Sequence, residues 1–228
     1  MSIPENDELI NKHENILNKH KEKWEALARE NDRYYVRSVD HQQSDEEYGE
    51  SGRKTVEDHI LNDETLMTVL SPLSECNVLE IGCGSGRVTK TLATYFKNVA
   101  ALDISRTMLE KARNFVDSPN VVYLESNGQD VPLFSESVDL AFSFIVYQHF
   151  PTKEAIEHSF KQVNRALRRG GLFKVQVRGI PNPNPNHWAW GPHFTKEEAE
   201  ELAQSAGFQT LQTRGQNTQY FWMLLKKS

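Results

Sequence analysis

Apolar residues follow two regimes along this chain. Over Glu5–Arg29 they recur sparsely: Ile10, Leu17 and Trp24 stand seven apart, and His13, His20 and Leu27 stand seven apart beside them. That spacing predicts one amphipathic helix. From Val78 onward the apolar residues come in short dense runs, VLEI, VAAL, VVYL and LAFSFIV, with helix-period segments between most of them. Runs that do not alternate are the mark of strands buried on both faces, and strands alternating with helices imply a parallel sheet covered on both sides.

In detail, the pattern predicts a helix from Thr55 to Ser71-Pro72, strands over 77–82, 99–105, 121–126, 137–146 and 171–177, and helices over 86–96, 105–116 and 152–169. Thr152 is a candidate cap of the last of these, and Gly170-Gly171 its stop signal. Residues 178–194 read as a proline- and asparagine-rich loop carrying Trp188 and Trp190. A helix over 195–207 follows, then two strands forming an antiparallel pair at the sheet edge. Ser38–Gly52 has almost no apolar content and reads as a mobile loop. Residues 1–54 are thus expected as a helical arm with a mobile loop, and 55–228 as an α/β domain. The stripe on the first helix fits docking of one edge on that domain. It also fits a heptad seam to a second copy of the chain, which leaves a homodimer as the alternative.

Length and charge narrow the reading. A chain of 228 residues buries a core without staples. Net charge is −6 and pI about 5.8, which argues against a nucleic-acid partner. No run of 18 apolar residues exists and the first 20 residues hold no apolar signal core, so no membrane span or secretory leader is expected. Cys76 and Cys83 are the only cysteines, and no Cys/His set has zinc spacing. A reduced, cytoplasmic, metal-free protein is the expectation.

The chemistry concentrates at Val78-Leu79-Glu80-Ile81-Gly82-Cys83-Gly84-Ser85-Gly86, where a buried strand ends in glycines and a helix begins. Such a turn lets a ligand approach the backbone closely, and the N–H groups at the helix start can hold a polar group. A dinucleotide fingerprint requires a third glycine where Arg87 stands. Asp103 closes the second strand 17 residues past Gly86, near the spacing of a ribose-binding acid.

The run E-x-G-x-G-x-G from Glu80 to Gly86 resembles motif I of the class I S-adenosylmethionine-dependent methyltransferases. Ser126-Asn127-Gly128-Gln129-Asp130-Val131-Pro132-Leu133 resembles the family's adenine segment, with Asn127 in place of the usual Asp. Ser137–Ser143 and Arg168-Arg169-Gly170-Gly171-Leu172 resemble the later landmarks. The resemblance implies a Rossmann-like doubly wound seven-stranded sheet in the order 3-2-1-4-5-7-6, last strand antiparallel, with an N-terminal helical extension resembling the lid of small-molecule members. It implies S-adenosylmethionine as cofactor and a small-molecule acceptor. Glu80, Gly82, Cys83, Gly84 and Gly86 would hold the methionine portion, Asp103 the ribose, and Ile104, Met108, Asn127, Gly128 and Gln129 the adenine. Asp130 reads as a local turn residue. Phe144, Tyr147, Gln148 and His149 would build the acceptor side, with His149 as candidate general base and Tyr147 beside it. Trp188, Trp190, His187 and His193 would cover the acceptor or anchor their loop. Tyr34 and Tyr35 would close the donor pocket, with Arg33 or Arg37 on the donor carboxylate. Two alternatives stand: a non-catalytic module that binds an adenosyl ligand, and an NAD-dependent oxidoreductase.

Overall fold

Strands β1 (Asn77–Ile81), β2 (Asn98–Asp103), β3 (Val121–Glu125), β4 (Val138–Ser143) and β5 (Leu167–Val177) run parallel. β6 (Phe208–Arg214) and β7 (Phe221–Lys227) complete the sheet, β7 antiparallel to both its neighbours. The order is β3-β2-β1-β4-β5-β7-β6, as expected. This computed structural model describes residues 4–38, 41–184 and 187–228, and of residues 4–13 the backbone alone. Ile10 and His13 of the stripe therefore lie outside the described side chains.

Both faces of the sheet are apolar because both neighbours of each alternating position must be buried. Leu79, Ile81, Ala141, Phe173, Val175, Met223 and Leu225 pack under α6 (Lys153–Ala166) and α7 (Lys196–Ser205). The interleaved Val78, Leu140, Phe142, Leu172, Trp222 and Leu224 pack under α2 (Asp45–Val56), α3 (Glu64–Leu70) and α4 (Thr89–Tyr95). Strand order reverses between β1 and β4, and a crevice opens there beyond the carboxyl ends of the strands. α1 (Pro4–Val36), kinked at Asn31, runs to α5 (Arg106–Val116), beside that crevice.

Three expectations need correction. Residues 45–52 are not a loop but most of α2, so the expected boundary at 54/55 falls inside a helix. Ser44 and Glu47 form a reciprocal capping box, and three acids fill the first turn. Tyr48 is fully buried, with its hydroxyl 2.8 Å from that of Ser85. The helix expected from Thr55 breaks at Asn62-Asp63, where the Asp63 side chain caps α3. Gly170-Gly171 does not stop α6. That helix ends at Ala166 and passes straight into β5, and the glycines sit in a register shift facing β4.

Candidate functional site

The crevice is a cleft of about 1170 Å³, part of it open to solvent. Its floor is the β1 tip. Gly82 turns with φ +71°, and a Cβ there would stand 2.3 Å from Val146 Cγ2, so only glycine fits the turn. Glu80 and Asp103 face each other across it, at the ends of β1 and β2. Asp103 accepts from Gly84 N and Ser105 N, both at 2.8 Å. A carboxylate has about four acceptor sites, so sites remain for hydroxyls in the cleft. Burial pushes Asp103 up to about 6 against those N–H bonds. Glu80 accepts from Thr89 Oγ1 at 2.6 Å, and burial pushes it up to about 8.

Of the residues singled out in the sequence, Glu80, Gly82, Cys83, Gly84, Asp103, Ile104, Met108, Gly128, Gln129, Phe144 and His149 line the cleft. Three do not. Gly86 packs on α5: a Cβ there would meet Val116 Cγ2 at 2.7 Å. Asn127 folds onto its own turn, its Oδ1 accepting from Gln129 N and Asp130 N and its Nδ2 donating to Asp130. Its amide oxygen is already engaged by backbone donors, an Asx turn. Tyr147 is sealed in the core, stacked on Phe150 and hydrogen-bonded to Ser159, and burial pushes its phenol up. It does not reach a substrate.

His149 reaches the cleft but has no free lone pair. Its Nδ1 donates to the Ala189 carbonyl, which can only accept, and Nε2 accepts from the Gln148 amide at 3.1 Å. Burial lowers its pKa, so the ring is neutral. Gln148 itself is buried and bonded to Gln176, which also takes the backbone N–H of Ile145 at 3.0 Å. Ile145 has φ +59°, a strained setting for a β-branched residue, and this bond helps to hold it.

Above the cleft, α1 supplies Leu17, His20, Trp24, Tyr35 and Val36 to its wall. Leu17, His20 and Trp24 of the stripe therefore face the molecule's own cleft. Glu25 fastens α1 to the start of α5 through Ser105 and Thr107. Those bonds hold its carboxyl down to about 2 despite partial burial. Trp24 Nε1 donates to His20 Nε2 at 3.0 Å, and Trp188 from the tail loop meets both rings edge-on. Of the tail loop, Pro185 and Asn186 lie outside the described residues. His187 and His193 do not line the cleft, and Trp190 lies under the Arg178 guanidinium at 4.6 Å. Of the tyrosine pair, Tyr34 stacks on His41 while Tyr35 lines the cleft. Arg33 and Arg37 are occupied elsewhere, Arg33 by Asp45 and Gln43 and Arg37 by Gln43. Arg87 is the arginine in the wall instead. The sequence carried a signal for it, a charge one residue past the glycine loop, but that position reads there only as a departure from another fingerprint.

Among the described residues no group of His, Cys, Asp and Glu is placed to hold a metal, and no helix is long and apolar enough to cross a membrane.

Residues 79–175 match the methyltransferase domain family. A malonyl-[acyl-carrier protein] O-methyltransferase of Pectobacterium atrosepticum is 29% identical over 48% of this chain and 42% of its own. An uncharacterized methyltransferase of Synechocystis is 27% identical over 50% of this chain and 51% of its own. The chain spans about half the length of the curated relatives it matches. A methyltransferase structure from Methanosarcina mazei superposes with TM-score 0.59 at 18% identity, covering 72% of this chain and 97% of that one, a likeness of fold. The glycine turn between two buried acids, the strand order and the match over residues 79–175 together identify that part of the chain as a methyltransferase domain of the class I S-adenosylmethionine-dependent kind.

Proposed function

We propose that the protein transfers a methyl group from S-adenosylmethionine to a small-molecule acceptor. The observation that carries this reading is the pair Glu80 and Asp103, two buried carboxyls on either side of the Gly82 turn in one cleft. Glu80 would take the ammonium of the methionine portion and Asp103 the ribose hydroxyls. Ile104, Met108 and Leu17 give the apolar walls an adenine needs, with Gly128 and Gln129 at its edge. The cofactor supplies an activated methyl on a sulfonium. The protein's part is to orient the two reactants and keep water out. α1 acts as the lid, through Trp24 and His20, and the tail loop closes on it through Trp188. An acidic protein with this aromatic-roofed cleft suits a small acceptor better than a polyanion.

Calorimetric titration tests the reading. S-adenosylhomocysteine binds, NAD does not, and Asp103→Ala weakens the former by about 1.5–3 kcal/mol, the range for hydrogen bonds to a charged group. Binding of NAD with indifference to S-adenosylhomocysteine overturns it. Tight S-adenosylhomocysteine binding without methyl transfer to any acceptor returns the protein to a ligand-binding module.

A further inference from the structure

Among the described residues the cleft has no free base. Its titratable lining residues are His20, Tyr35, Glu80, Cys83, Asp103, Asp130 and His149, together with Arg87. The lone pair of His149 is taken by Gln148, and that of His20 Nε2 by the Trp24 indole. Asp130 is shared between Asn127 and His158, and the Tyr35 hydroxyl donates to Glu30. Cys83 points its thiol at the Gly84 carbonyl. Glu80 and Asp103 belong to the donor in the reading above. An alcohol, phenol, thiol or ammonium must lose a proton to become a nucleophile, and no described residue of this wall is placed to receive it.

The cleft also holds a cation that forms no ion pair among the described residues. Arg87 is 7% exposed, and its Nε has no hydrogen-bond partner among the described residues. Its Nη1 is tied back to the Ser51 carbonyl and the Thr55 hydroxyl, both at 2.9 Å. That tether fixes the side chain before any ligand arrives, so little freedom is lost on binding. The guanidinium lies 5.9 Å from the Phe144 ring, on the side expected to receive the acceptor. Glu80 bonds to Thr89 rather than to Arg87. Arg178, the other buried arginine with an unpartnered Nε, lies on Trp190 and is not part of the wall. A buried guanidinium with unused donors calls for an anion with paired oxygens.

We propose that the acceptor is a carboxylate, seated by Arg87 and methylated on oxygen. This deepens the reading of the site as a methyltransferase and rests on it. A carboxylate arrives deprotonated, so no base is needed. One carboxylate oxygen forms the new bond to the methyl carbon, the sulfur–methyl bond breaks, and its electron pair stays on sulfur. The products are a methyl ester and a neutral thioether, and no proton moves. An anion and a cation combine into neutral products, a change that a dry cleft favours over water. Arg87 attracts the acceptor in the ground state and the transition state alike, so it acts on binding rather than on turnover.

The test uses methyl-tritiated S-adenosylmethionine with the full-length protein. Benzoate, phenylacetate, octanoate and hexanedioate are each offered beside their amide and their alcohol, and a small-molecule cell extract is assayed in parallel. Methyl esters release labelled methanol in mild alkali, whereas ethers and methylamines do not. The expected result is alkali-labile label from carboxylates alone. Arg87→Met then raises the acceptor KM about tenfold or more with kcat changed less than about threefold, and Arg87→Lys restores part of the loss. Alkali-stable label, label on an alcohol or amide, no alkali-labile label from either source, or an unchanged KM overturns the proposal. In a companion titration, Arg87→Met that weakens S-adenosylhomocysteine but not 5′-methylthioadenosine assigns Arg87 to the donor's own carboxylate and also overturns it. If Arg87→Met does not fold, Arg87→Lys and the alkali test on the wild type still decide. Wild type that fails to bind S-adenosylhomocysteine sinks the methyltransferase reading itself, whereas binding with alkali-stable product sinks only the carboxylate.

Discussion

Glu80 shows how burial makes one side chain an indicator of occupancy. In the cleft without a donor, burial holds its pKa near 8, so at pH 7 the carboxyl keeps its proton. The unfolded chain would ionise it near the usual 4.5, so the folded state binds this proton more tightly. Its contribution to stability is therefore largest below the unfolded value, falls as pH rises from there towards 8, and is gone above. A donor ammonium beside Glu80 favours the ionised form. S-adenosylhomocysteine binding is accordingly expected to release protons near pH 7 and to release fewer at pH 9. Calorimetry in buffers of different ionisation enthalpy measures this, and enthalpies identical in all buffers at pH 7 would contradict the role given to Glu80. Glu80 and Asp103 were legible in the sequence because Glu80 stands two residues before the glycine turn, Asp103 ends an apolar run, and their backbone setting is local. Tyr147 and His149 read ambiguously because their roles depend on partners that spacing does not show. Ser159 lies 12 residues from Tyr147 and Ala189 lies 40 from His149.

At the scale of elements, α2 is the instructive case. Its sequence, DEEYGESGRKTV, is polar and carries two glycines, the composition of a loop. What makes it a helix is a capping box at one end and one buried ring in the middle. Gly52 is there for approach rather than for a turn: a Cβ would lie 1.8 Å from the Arg87 carbonyl oxygen, so only glycine lets α2 settle on the start of α4. Hydrophobic periodicity does not register a helix whose contacts are so few. Tyr48→Phe keeps the ring but strips Ser85 of its buried partner, at an expected cost of about 1–2 kcal/mol. Urea denaturation reads that loss, and an unchanged midpoint would show that the ring alone pins the helix. Strands β1, β2 and β4 were legible because each carries a dense apolar run. The passage from α6 into β5 was not, since glycines that stop a helix and glycines that bulge a strand look alike in sequence.

For the molecule as a whole, structure and site are divided unevenly along the chain. The described part of α1 gives the interior only Leu17 and Ala28, yet it gives the cleft five of its lining residues. Deleting residues 1–37 is therefore expected to lower the melting temperature by only a few degrees while reducing S-adenosylhomocysteine affinity about tenfold or more. Differential scanning calorimetry beside an affinity titration separates the two. Collapse of the fold with normal affinity in the folded remainder would reverse this division.

The roof also has an optical consequence. Trp24 and Trp188 meet edge to face at 5.6 Å, whereas Trp190 sits under a guanidinium and Trp222 stacks on Phe144. Two indoles so close couple their strong far-ultraviolet transitions and give a paired dichroism band, which parting them abolishes. The untagged protein thus carries its own spectroscopic gauge of whether its mouth is shut, and the pace of opening can be followed by light alone.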